Sequence, residues 1–586
     1  MSDSSLVNHT PSSKNNEEDF LKSHPWIRNY ETGVPAHIDI PDHPLTWLLD
    51  TTASRYPAHT ALIYLGTKIT YARFSELANR FALGLQRLGV KKGDRVAIAL
   101  PNIPQYPIAF YGALRAGAVV VPTNPLYTER EMQHQLADSG ARVLVMLDMF
   151  YPVVRNIRKQ TAVEQTVLTS PADFLSPVLK LLYPLSQRGA KLPQPPLTKK
   201  EFHEDTTLHS MQSILASGTA PAGAAEPTSV PLSGDDLAVL QYTGGTTGLS
   251  KGAMLTHRNL LANALQVRAW VPRAHEGQES ILCVAPFFHS YGMTVGMNFG
   301  IRLAATLILL PRFKAKEVLA TIRRYQPSMM PGIPTMYIAL IREAGEHTRA
   351  MESIKYCISG ASALPAKVQQ DFERITHGKL VEGYGLSEAS PVTHCNPLTD
   401  KCRNGSIGLP MPNVEATILD AKTGEPLPPG EVGEIAVRGP NIMQGYWKRE
   451  EETRSIFVNG WMRTGDIGKM DEEGYFYVVD RSKDLIIAGG FNVYPREVEE
   501  VLFQHPAIAE AAVTGVPDEY RGETVAAFVV LKQGYTPSDE LKEQIRQFCK
   551  QNLTPYKVPK YLEFRESLPK TLVGKVLRRE LRLSHR

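Results

Sequence analysis

From Thr243 to Gly252 the chain reads TGGTTGLSKG, four glycines, four hydroxyl side chains and one lysine among ten positions. Glycine lets a backbone approach a ligand closely, and successive N–H groups in such a loop form a concavity for anions. The chemistry this suggests is the cradling of phosphate oxygens, with Lys251 as the cation. The pattern is not G-x-x-x-x-G-K-[ST], because Ser250 precedes Lys251 and Gly252 follows it, so the hydroxyl that would hold magnesium is missing. Two readings stand: a phosphate loop of another kind, or a plain turn. The loop follows the apolar run 237-LAVLQY-242 and precedes a helix expected near Thr256. That strand–loop–helix order favours the first reading.

Three later stretches carry further groups. In 382-EGYGLSEAS-390, Tyr384 stands between glycines where it could stack on a base, and Glu388 offers a hard oxygen of the kind magnesium prefers; a turn with a solvated glutamate is the alternative. Asp466 follows Thr464-Gly465 at an expected strand end, and Arg481 lies one strand later. Both are placed to hydrogen-bond ribose hydroxyls, or to serve as a turn aspartate and a surface ion-pair partner. Lys483-Asp484 begins a polar break, and Lys575 follows a glycine in a basic tail that could fold back to an anionic centre.

The elements that must position these groups are legible from periodicity. Residues 70–90 space apolar side chains at helical intervals after a Thr70 cap, with Gly89 near the end. RVAIALPN, AVVVPTN and ARVLVML then alternate with helical stretches, QYPIAFYGALRAG and EREMQHQLADSG, and the pattern resumes at DLAVLQYTGG, ILCVAPFFH and ATLILLPR. Such alternation predicts a mostly parallel, doubly wound sheet. Between about 172 and 234 it breaks into Pro-rich, basic and low-complexity sequence of linker type. From about 405 the texture is strand and turn, and after 490 a small α+β unit remains.

At 586 residues the chain exceeds one hydrophobic core, so two or more domains are expected. A net charge of +4 with 21% charged residues does not suggest a nucleic-acid binder. Five cysteines without C-x-x-C or metal spacing read as free thiols in a reducing compartment. The polar first stretch lacks a secretory h-region and is expected to be disordered. The run LAATLILL at 303–310 is less than half a bilayer span, so a soluble cytoplasmic protein is the default.

Taken in order, YTGGTTGLSKG, YGLSE, GWMRTGDIG, DRSKDLIIAGGFNVYP and PKTLVGK resemble the adenylate-forming (AMP-binding) superfamily, and within it bacterial long-chain fatty-acid–CoA ligases, over roughly residues 45–580. The resemblance implies an α/β fold: a large N-terminal domain of doubly wound sheets plus a β-rich subdomain, with a small mobile α+β C-terminal domain. The corresponding boundaries are a tail at 1–25, the adenylation domain at 26–480 and the mobile domain at 481–586. It also implies two half-reactions. Carboxylate and ATP give acyl-adenylate and pyrophosphate; the thiolate of CoA then displaces AMP.

Carried over by motif, Thr243, Gly244, Gly245, Thr246, Thr247, Gly248 and Lys251 would cradle the ATP phosphates. Glu388, with Thr243, would hold Mg2+; Gly360, Ala361, Gly383 and Tyr384 would line the adenine; Asp466 and Arg481 would take the ribose. Lys483 matches the hinge position, Lys575 the adenylation lysine and Gly490 the pantetheine tunnel. His289 in PFFHSYG matches a residue near the carboxylate pocket, with a buried structural histidine as the equal alternative. Two positions depart from the pattern: Ser250 stands where many relatives have Pro, and Ile487 replaces a lysine seen in some. No protein nucleophile is expected. The partners implied are a fatty acid, ATP and CoA, with no nucleic acid; no carrier domain is attached, which favours free CoA. Contact of the 172–200 segment with a membrane surface and a homodimer are left open.

Overall fold

Thr70 starts the helix Tyr71–Arg87 by accepting the Arg73 N–H on its side chain, and the spacing of Tyr71, Phe74, Leu77, Ala78, Phe81 and Leu85 buries one face. The structure is a computed structural model, and it describes residues 23–186, 197–218, 230–243, 250–345, 348–481, 486–488, 491–518, 521–571 and 576–584. Of the expected tail, residues 1–22 lie outside the described residues. Trp26, in the short turn Pro25–Asn29, is buried against Phe476.

The expected alternation builds a seven-stranded sheet in the order Leu208–Ser210, Gln165–Thr169, Val143–Leu147, Arg95–Ala99, Val119–Pro122, Leu237–Thr243, Lys251–Thr256. All neighbours are parallel except the last pair. Helices cover its faces, so the inner strands are apolar runs buried throughout. One crossover helix, Glu129–Ser139, has a Thr128/Glu131 capping box and ends at Gly140 with φ of 63°.

The segment after 172 is more than linker. Leu208–Ser210 extends the sheet, and the helix Met211–Ser217 packs on Tyr71–Arg87 so closely that a Cβ on Gly84 would sit 2.4 Å from Ile214 Cγ2. A three-residue strand and a seven-residue helix are too short to leave a periodic signal. Residues 187–196 and 219–229 lie outside the described residues.

A second layer runs Ser280–Cys283, Thr306–Leu309, Thr60–Tyr64, Thr67–Thr70. Met329 bridges Ile281 and Tyr356 in parallel, which joins this sheet to Tyr356–Ser359, Lys379–Gly385, Val392–Cys395 and Leu409–Pro410. An antiparallel sheet of Glu415–Leu419, Gly433–Arg438, Phe457–Val458, Trp461–Met470 and Phe476–Arg481 follows, matching the strand-and-turn texture. The chain after Ile486 forms its own five-stranded sheet with the helices Pro495–Gln504 and Asp539–Asn552. Its core, with Val498, Val513, Val529 and Ile545, is distinct from the larger ones. All five cysteines are free. Among the described residues, no helix is long and apolar enough to cross a membrane.

Candidate active site

The glycine-rich loop connects two antiparallel strands. Thr243 is the register partner of Lys251 and Tyr242 of Gly252, and Gly244, Gly245, Thr246, Thr247 and Gly248 lie outside the described residues. This corrects the expected strand–loop–helix order: the strand Lys251–Thr256 comes between the loop and the helix His257–Trp270, which Thr256 and Asn259 cap. Pairing on both edges makes 251–256 a strand. One edge faces Leu237–Thr243. The other exchanges backbone hydrogen bonds with 444–447, Met254 N–H to Gly445 O at 2.9 Å and Trp447 N–H to Gly252 O at 2.8 Å. Residues 248–252 also spell G-x-S-x-G, yet a nucleophile elbow needs a strand-to-helix turn. Ser250 instead precedes a strand, and His134 Nε2 meets its carbonyl oxygen at 3.0 Å, not its hydroxyl.

Lys251 Nζ lies 3.5 Å from Glu452 Oε1 and 5.4 Å from the centre of the Tyr446 ring. The same tyrosine donates its hydroxyl to Glu388 Oε1 at 2.7 Å. Burial, then the charge of Glu388 and its hydrogen bond, push the Tyr446 hydroxyl far above its ordinary range, so it stays a donor. Glu388 sits in the turn Ser387–Ala389, whose carbonyl at Glu388 accepts the Met443 N–H at 2.8 Å. That turn lies against both strands of the hairpin, and Thr243 ends one of them. Among the described residues no group of three His, Cys, Asp or Glu is arranged to hold a metal. The donor chemistry fits a hard cation bound through one carboxylate and a hydroxyl, with nucleotide phosphate and water as the remaining ligands.

Gly360, Ala361, Gly383 and Tyr384 stand at the carboxyl ends of the adjacent parallel strands Tyr356–Ser359 and Lys379–Gly385, where open α/β sheets bind ligands. Two of them tolerate little else, one for lack of space and the other for its left-handed backbone. A Cβ on Gly383 would lie 2.7 Å from Ile358 Cγ2, and Ala361 has a φ of 68°. Tyr384 donates its hydroxyl to Asp466 Oδ2 at 2.6 Å. Asp466 is buried and lies in the middle of the strand Trp461–Met470, not at its end. The strand continues past it because Trp461–Met470 pairs with Gly433–Arg438 on one side and Phe476–Arg481 on the other. Arg481 is the backbone register partner of Asp466, one strand later as expected.

His289 and Ala361 line one narrow cleft with Pro286, Tyr291, Ile333 and Met336; its volume is ≈ 10 Å³. His289 Nδ1 accepts the Tyr291 N–H at 3.3 Å, and the backbone then continues as a π-helical run, Gly292–Asn298. Lys483, Gly490 and Lys575 lie outside the described residues. Sequence reading missed Tyr446, whose only signal was an aromatic after glycine in QGYW, and Glu434, which holds the Gly465 N–H at 3.0 Å and pairs with Arg463.

The chain as a whole has counterparts among known proteins. Residues 49–447 match the AMP-binding enzyme family and residues 497–575 the C-terminal domain of that family. The chain belongs to the AMP-binding enzyme family. It is 46% identical over 559 residues to the long-chain-fatty-acid–CoA ligase of Bacillus subtilis strain 168, covering 95% of this chain and 97% of the relative. It is 40% identical over 563 residues to the long-chain-fatty-acid–CoA ligase of Escherichia coli O6:H1, with 95% and 97% covered. The crystal structure of the anthranilate CoA ligase AuaEII with anthranoyl-AMP superposes with a TM-score of 0.80 at 27% identity, covering 93% of this chain and 98% of that one.

Proposed function

We propose that the chain is an ATP-dependent long-chain fatty-acid–CoA ligase, converting fatty acid, ATP and CoA to acyl-CoA, AMP and diphosphate through an acyl-adenylate. The observation that carries this reading is the 46% identity to such a ligase across 95% of the chain. A carboxylate is a poor electrophile, and attack of its oxygen on the α-phosphorus gives it AMP as a leaving group. Negative charge accumulates at phosphorus in that step, and preorganised cations and N–H groups offset it. Lys575 and the 243–251 loop have that role here. Asp466 and Arg481 hold the ribose, and Tyr384 stacks on the adenine beside Gly360, Ala361 and Gly383. Glu388 and Thr243 would hold Mg2+, which would neutralise phosphate charge. His289 borders the carboxylate end of the acyl path.

The two functional bodies, expected at 26–480 and 481–586, divide just after Arg481, which still pairs with Asp466 in the larger body's sheet; Lys483 is the hinge and Gly490 lies on the face that receives the pantetheine arm. Pyrophosphate release with ATP and palmitate tests the reading, followed by thioester formation over acids from C2 to C18. An optimum at acetate or at an aromatic acid would overturn the long-chain assignment.

The helix Pro177–Ser186 supports peripheral contact with an anionic membrane surface. Val178 and Leu181 are 68% and 80% exposed, and Lys180 lies between them. Lys199 and Lys200 begin the next described helix, whereas Arg188 and Lys191 lie outside the described residues. The double variant Val178→Asp/Leu181→Asp should lose co-sedimentation with anionic vesicles while keeping palmitate activation; unchanged sedimentation refutes the contact.

A further inference from the structure

Glu382 opens the stretch that contains Tyr384, and its carboxylate meets both the loop beyond Ala361 and the C-terminal unit. Its side chain is only 7% exposed, and Oε2 accepts the Leu364 N–H at 2.9 Å. Leu364 lies three residues beyond Ala361, so the carboxylate ties the strand of the adenine wall to the loop that follows the other part of that wall. Oε1 faces Arg496 Nη2 at 3.8 Å. Arg496 belongs to the first turn of Pro495–Gln504, a helix of the C-terminal sheet unit, and is 15% exposed. Its Nε also donates to Glu500 Oε1 at 3.2 Å on the same helix. The guanidinium therefore lies between a carboxylate of its own unit and one buried in the larger body.

We propose that Glu382 is a positioning residue that couples the C-terminal unit to the adenine wall, its pairing with Arg496 biasing the enzyme toward one of its two half-reactions. The inference rests on the two-step ligase reading above. If the C-terminal unit turns between steps, Arg496 leaves and Glu382 keeps the Leu364 N–H but loses this cation. Separating a buried pair leaves an uncompensated charge, which is costlier than never having had the pair. Arg496 keeps Glu500 and reaches solvent, so the cost falls mainly on Glu382. Burial raises the Glu382 carboxyl above its ordinary range, partly offset by Arg496 and the Leu364 N–H, as expected for a charge that depends on its partner.

The test uses the full-length enzyme. Adenylation is read as single-turnover pyrophosphate release with ATP and palmitate, and thioester formation is read separately from ready-made palmitoyl-adenylate and CoA. Glu382→Gln and Arg496→Ala should each shift the ratio of the two rates by about tenfold and in the same direction, within the range of pairwise coupling energies. The double variant should shift it no further than either single one. Arg496→Lys, which keeps the charge, should return most of the ratio. A ratio that stays at the wild-type value, or that responds to Glu382 but not to Arg496, overturns the coupling, whatever happens to thermal stability. Failure of the ligase reading is distinguishable: wild-type enzyme would then release no pyrophosphate with any fatty acid.

Discussion

Replacing Tyr446 with Phe removes one hydroxyl and leaves its surroundings in place. The ring stays under Lys251, and the backbone bridge between Tyr446 and Ala253 is unaffected. What is lost is the 2.7 Å hydrogen bond to Glu388 Oε1. A hydrogen bond to a charged group contributes about 1.5–3 kcal/mol. Loss of a hydrogen bond that orients a metal-ligating carboxylate costs about 10–100-fold in metal affinity or activity, which is about 1.4–2.8 kcal/mol. The two figures agree, so the full energy of this bond should appear at the metal. The assay is the initial rate of pyrophosphate release at saturating ATP and palmitate while free Mg2+ is titrated. The midpoint should move up by about one to two decades, with a nearly unchanged rate at saturating metal and a melting temperature close to wild type. A wild-type midpoint in Tyr446→Phe would show that the hydroxyl does not orient a magnesium ligand, and the assignment of Glu388 would fall with it.

Glu388→Gln should weaken magnesium dependence and ATP use more than Tyr446→Phe, since a neutral amide is a poor ligand for a hard dication; a normal magnesium titration would contradict this. Specificity constants should climb from C6 toward C12 by up to about 0.8 kcal/mol per methylene buried, and Gly296→Leu, whose Cβ would start 3.4 Å from Phe287, should remove that rise. Lys575→Ala should lose about 10²–10³ in adenylation rate yet still make thioester from supplied acyl-adenylate, whereas Gly490→Leu should release pyrophosphate once and stall with CoA. Equal loss of both steps in both variants would refute domain alternation. Burial lowers His257 to about 4 and His394 to about 3, so below about pH 6.5 the unfolded chain binds more protons than the native one. Stability is therefore lost as pH falls from about 6.5 toward 4, with a slope of up to about 1.4 kcal/mol per unit from each histidine. The urea midpoint should show a shallower pH slope in His394→Gln, whose native ring has an unpartnered buried Nε2; identical slopes would refute this.

Much of the fold was legible because its signals are local. The Thr70 cap, the apolar stripe of 71–85 and the buried runs at 95–99, 119–122 and 143–147 needed only periodicity. Nonlocal pairing was not legible. Residues 251–256 read as the approach to a helix, and they are a strand because 237–243 and 444–447 supply partners on both edges. Asp466 read as a strand end because Thr-Gly usually marks one, and pairing on both sides carries the strand through it. The same limit hid Tyr446, which reaches Glu388 from 58 residues away. The motifs contain the Tyr384–Asp466 contact, whereas the partner of Glu388 came from a segment with no motif of its own.

The backbone pairing of Asp466 with Arg481 has a consequence for the order of events in a turnover. Both positions belong to the antiparallel sheet that ends at Arg481, and the next described strand, Ile486–Ala488, is hydrogen-bonded into a different sheet. Any swivel beginning between them leaves Asp466 and Arg481, the positions proposed to hold the ribose, on the stationary body. With the ribose held there, the nucleoside should stay seated when pyrophosphate leaves and the thiol approaches. Product release should follow an ordered course, with pyrophosphate first and AMP retained until the acyl group has been transferred. AMP should accordingly inhibit competitively against ATP, and pyrophosphate should not.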